Sequence, residues 1–119
     1  MIGETVSVTI NAVPYTLNRI NQDNYAAEYF MRDATQEVTL RIRHQNESVK
    51  PGNVAFERHQ IDLSRKVYAT ATTEEKSYQA YTVIRLPKGG DPDAAEQLTT
   101  ALCGFQSAGT LDKIVGWQS

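Results

Sequence analysis

From ETVSVTI at residues 4–10 to SYQAYTVIRLP at residues 77–87, apolar and polar residues alternate with period two; only after KGGD does the period lengthen to that of a helix. A chain that spends its strands first and its helices last must lay those helices on a sheet, so the expected class is α+β with antiparallel strands. ETVSVTI and PYTLNRI flank a turn-prone NAV, which predicts a β-hairpin within residues 1–20. NQDN (21–24) is turn chemistry. Three further strands are expected over 25–32, 37–44 and 54–63, the last of them extended or followed by SRKVYAT, and a final one over 77–87. The Pro-Gly of NESVKPGN marks the turn before 54, and ATATTEEKS (69–77) reads as a small, polar, flexible loop without an apolar anchor.

The sheet region thus covers 25–88 and the helices 91–117 of a single domain. Asp91 is placed to cap the first helix and Pro92 to open it. Ala94, Ala95, Leu98, Ala101, Leu102 and Phe105 form its apolar stripe, and LDKIVGW (111–117) offers Leu111, Ile114, Val115 and Trp117 as a second. Neither helix is long enough to persist alone in water, so each must lie on the sheet or on another subunit. At 119 residues the chain encloses only a modest core, which makes oligomerisation a reasonable expectation.

A formal charge of −2 does not announce a nucleic-acid binder, so any such role needs positive charge gathered locally. Strand periodicity gathers it. Val38, Leu40 and Ile42 share one face of their strand, which sends Thr39, Arg41 and Arg43 to the other. His59, Ile61 and Leu63 likewise oppose Arg58, Gln60 and Asp62, and Thr82, Ile84 and Leu86 oppose Tyr81, Val83 and Arg85. With helices on one side, the arginine side is left uncovered. Two readings follow: an ordinary solvated face of mixed charge on a small dimeric interaction or ligand-binding module, or a face for RNA. In the second, arginines hold phosphates, Thr39 and Gln60 reach base edges, and Tyr81 stacks an unpaired base.

Nothing favours catalysis. His44 and His59 fall on the apolar sides of their strands without a third metal ligand at suggestive spacing, and Cys103, the single cysteine, reads as a small buried helix residue. No phosphate-cradling glycine loop is present, and Glu57 and Asp62 lie on opposite faces of one strand. The chain has no long apolar run, signal-peptide pattern or lipidation motif, so a soluble protein of a cytoplasm is expected, with no membrane partner.

AAEYF (26–30), VTLRIRHQ (38–45), ESVKPGNVAFERH (47–59), QAYTVIR (79–85) and IVGW (114–117) resemble the coat proteins of the small single-stranded RNA bacteriophages. INQDNY, RHQNESVKP and FERH make the similarity strongest to the Caulobacter-phage-like branch. The resemblance implies an N-terminal hairpin, a five-stranded antiparallel sheet and two C-terminal helices. Two chains then pair edge to edge into a continuous ten-stranded sheet, with Leu98, Leu102, Phe105, Ile114 and Trp117 reaching across the partner. It implies a non-enzymatic subunit of an icosahedral shell, assembled in the bacterial cytoplasm around viral genomic RNA together with the virion's maturation protein. It further implies an inner sheet face, Thr39, Arg41, Arg43, Arg58, Gln60, Tyr81 and Arg85, that binds an RNA hairpin as translational repressor and packaging signal. Arg41 stands where a serine is common in the family's base pocket, and Val83 where a polar residue is frequent. Thr70, Ala71, Thr72, Thr73, Glu74 and Glu75 correspond to the loop that meets its copies around the shell's symmetry axes. No cofactor is required; calcium between subunits stabilises some relatives, and Asp23, Glu74 and Glu75 are the acidic residues able to contribute.

Overall fold

A computed structural model of the chain describes residues 3–23, 25–47, 52 and 55–117. Six strands, β1 (Thr5–Ile10), β2 (Val13–Gln22), β3 (Ala26–Arg32), β4 (Gln36–Asn46), β5 (Phe56–Val67) and β6 (Lys76–Pro87), form one antiparallel sheet in sequence order. Two helices, α1 (Pro92–Phe105) and α2 (Ala108–Val115), follow. The sheet therefore has six strands rather than five beside a separate hairpin. The reason lies in β2: it outruns β1, and its second half pairs with β3 from Asn18↔Phe30 to Gln22↔Ala27 around a bulge at Ile20. Pro14, which donates no backbone hydrogen bond, falls in the half of β2 that has no β3 neighbour.

The β1–β2 connection is a two-residue turn in which Asn11 (φ 51°) and Ala12 (φ 64°) both take left-handed backbone, the geometry that matches the twist of paired strands. At the β3–β4 turn, Asp33 Oδ1 accepts from the Thr35 amide (2.7 Å), the Thr35 hydroxyl (2.9 Å) and the Gln36 amide (3.0 Å). These donors, the Thr35 amide first, hold the Asp33 carboxyl below its ordinary range. A carboxylate shifted in that direction supports the fold above its unfolded titration range, and the support fades as pH falls through the lowered value.

The sheet curls so that the apolar side of the hairpin covers β3 and β4. Leu17, Tyr29 and Val38 are buried at the centre, with Val6, Val8, Tyr15, Met31, Leu40 and Leu63 packed around them. Tyr29 also donates its hydroxyl to the Gly3 carbonyl at 2.7 Å, tying the chain start to the core. Because the core is this small, Leu17→Ala is expected to destabilise the protein by about 2 to 5 kcal/mol. Equilibrium unfolding in denaturant measures it, and a loss well under that range would show the hairpin to be peripheral.

Helix α1 begins as its sequence dictates: Asp91 caps it, accepting from the Asp93 amide at 3.0 Å, and Pro92 occupies the first turn. It lies beside β5 and β6 on the same side as the hairpin, where Pro92, Ala95 and Thr99 face Ile84 and Leu86 across an open groove. Helix α2 starts at Ala108, three residues before the expected Leu111, because Ser107 supplies its cap. Most of the expected Pro-Gly turn lies outside the described residues.

Candidate nucleic-acid interface

With the hairpin and α1 on one side of the sheet, the other side is open, and the register sorts its side chains into rows across the strands. Glu28, Arg41, Asp62 and Tyr81 form one row over β3 to β6. Arg43, Gln60 and Val83 form the next, followed by Gln45, Arg58 and Arg85. On the other side of the Tyr81 row lie Phe30, Thr39, Ser64 and Gln79. All seven side chains proposed for RNA thus share this face. Tyr81 stands out from it, 63% exposed.

The four arginines are not equivalent. Arg41 meets Glu28 at 3.3 Å, and Arg85 meets Glu47 at 2.7 Å while its guanidinium lies 4.7 Å from the Phe56 ring centroid. Arg43 and Arg58 have no carboxylate partner among the described residues. Asp62, buried between Arg41 and Tyr81, accepts from the Gln79 amide at 2.7 Å through one oxygen, while the other is buried without a hydrogen-bond partner. Farther along the face, Glu37 gathers Arg32 (3.4 Å), Lys66 (3.9 Å) and the Tyr68 hydroxyl (2.9 Å). Loss of solvent, reinforced by donation to Glu37, raises the Tyr68 phenol above its ordinary value. That end of the face is internally neutralised. Unspent positive charge collects instead around Arg43 and Arg58, toward the β4–β5 connection.

The covered side holds the histidines. His44 and His59 face each other directly across β4 and β5, Nδ1 to Nδ1 at 2.8 Å, and Glu57 lies 3.5 Å from His59 Nε2. Cys103 is exposed rather than buried, on the wall of the groove beside α1. The sequence predicts a small buried residue there, but the sheet does not cover this helix within the single chain. No residue of α1 is buried, and Leu98, Leu102, Phe105, Ile114 and Trp117 all stand in solvent, Trp117 at 96% exposure.

Against known families, residues 3–87 match the model described as phage phiCb5, coat protein. The chain belongs to the phage phiCb5 coat protein family. No curated protein matches it. Family membership makes the chain a structural, non-enzymatic capsid protein, a virion component that assembles with copies of itself. The match spans all six strands and ends at Pro87, before the helices.

The β5–β6 loop is exposed, and its tip is closed by its own hydrogen bonds. Thr70 accepts from the Thr73 amide (3.0 Å) and meets the Thr73 hydroxyl (2.6 Å). The loop is therefore a preformed knob as well as an exposed one. Asp23 sits at the β2–β3 turn and Glu74 and Glu75 in the β5–β6 loop, at opposite ends of an antiparallel sheet, so one chain does not bring them to a single ion. Among the described residues no three metal-binding side chains converge, and no helix is long and apolar enough to cross a membrane. Sequence reasoning missed Glu28, Glu47 and Phe30 on the open face. The alternation of AAEYFMR gave the signal for Glu28 and Phe30, whereas Glu47, just beyond β4, is placed only by its contact with Arg85.

Proposed function

We propose that the subunit works as an interlocked homodimer whose open sheet face lines the inside of an icosahedral shell against genomic RNA. The single observation that carries this reading is how far the chain extends beyond its own core. Its radius of gyration is 17.2 Å, against about 13.5 Å for a compact domain of this length. Helices that project from a sheet with their apolar residues bare need a second copy to cover them, and β6 offers a free edge for continuing the sheet into that copy. The doubled sheet would then present two clusters of Arg43 and Arg58 to RNA, each beside a Tyr81. A role as translational repressor and packaging receptor follows from selective binding of one hairpin by that face. Genomic RNA and the maturation protein are the further partners of this reading, and calcium, if used, joins residues from different chains.

Electron microscopy of the expressed full-length protein tests assembly: shells enclosing nuclease-protected RNA are expected. A soluble species of fixed small size, free of RNA, would overturn the reading. Shortening the loop over residues 70–75 is expected to change particle size or yield while the unassembled subunit keeps its unfolding midpoint. Loss of folding in that variant would show that the loop supports β5 and β6 rather than contacts between subunits.

A further inference from the structure

Arg58 and Arg85 are directly opposite each other across β5 and β6 on the open face, a placement in which two like charges repel. Glu47 intervenes. One of its carboxylate oxygens, Oε2, accepts from Nε of Arg85 at 2.8 Å and lies 2.7 Å from Nη2 of the same guanidinium. The Phe56 ring lies against that guanidinium, its centroid 4.7 Å away, and the arginine side chain remains half-exposed. An RNA phosphate competes for the same guanidinium donors that Glu47 occupies.

We propose that Glu47 is a built-in stand-in for phosphate, which holds Arg85 in reserve and sets how tightly, and with what salt dependence, the open face takes RNA. The proposal rests on the RNA-facing role argued above and adds a residue that works against binding. An RNA phosphate takes the fork by displacing the carboxylate into water, so Arg85 contributes less to affinity than Arg43 or Arg58, whose charge is unspent. An exposed ion pair is weak enough to be exchanged in this way. For a shell that must gather a long RNA and also release it, this arrangement keeps the arginine pair compatible in the empty subunit and tempers its grip in the filled one.

The test measures binding of a fluorescein-labelled RNA stem-loop to full-length protein kept below its assembly concentration, across a series of salt concentrations. Glu47→Gln frees Arg85 for one more phosphate, so the salt slope should steepen by about 0.7 and affinity near physiological salt should rise about fourfold. Glu47→Asp shortens the reach to Arg85 without altering net charge, and should shift binding in the same direction. In an Arg85→Ala background the effect of Glu47→Gln should vanish. Circular dichroism and particle yield establish that each variant folds. An unchanged slope in Glu47→Gln, a gain that persists without Arg85, or no gain in Glu47→Asp each overturns the proposal, the last two in favour of a general charge effect. Wild-type protein that fails to bind the stem-loop overturns the RNA-facing reading and this proposal with it, whereas binding that ignores Glu47 overturns the proposal alone.

Discussion

Replacing Leu102 or Phe105 by aspartate is expected to abolish the soluble subunit. In the isolated chain both side chains are exposed, and an aspartate there would be harmless. The prediction arises because a helix this short, with no buried residue, borrows its stability from a second copy. A carboxylate forced under that copy has no counter-charge, at a cost on the order of 3 to 5 kcal/mol, and a two-fold interface repeats it. For a small domain that is most of its stability. Sedimentation and circular dichroism of the variants decide the matter. A folded, soluble monomer carrying either substitution would show that the helices do not interlock.

The second large effect concerns the open face and divides its residues by physical mechanism. Tyr81→Ala removes a stacking platform worth roughly 1 to 3 kcal/mol per base, so RNA binding weakens while its salt dependence stays as it was. Arg43→Ala and Arg58→Ala each remove one unspent cation, lowering the salt slope by about 0.7 apiece; together they should reduce affinity roughly tenfold to twentyfold near physiological salt. Arg41→Ala behaves differently, since Glu28 already neutralises its charge. It also strips the buried Asp62 of a neighbouring cation, so its main effect belongs to stability. Fluorescence titrations on unassembled protein distinguish these outcomes. Equal binding by all the variants and wild type would return the face to plain solvent.

Local chemistry made much of this legible in advance. Period-two alternation identified the strands, because a sheet with one covered face cannot tolerate a slipped register. The same alternation placed Thr39, Arg41 and Arg43 together without any contact being known. Asp91 and Pro92 marked the start of α1, since an unsatisfied helix start demands a cap and tolerates proline. The motifs from AAEYF to QAYTVIR carried the family resemblance, and the match over residues 3–87 bears it out.

Pairing partners and charge balance were of another kind. Whether β2 would leave the hairpin and join β3 depends on how far a strand runs past its first partner, which its own residues do not state. Sequence also showed four arginines on one face as if they were equal. Only the tertiary arrangement brings Glu28 beside Arg41 and Glu47, 38 residues away in sequence, onto Arg85. Side-chain direction is fixed by neighbours along the strand and so is written in the sequence. Charge neutralisation depends on which strands lie side by side, and that was decided when the sheet closed.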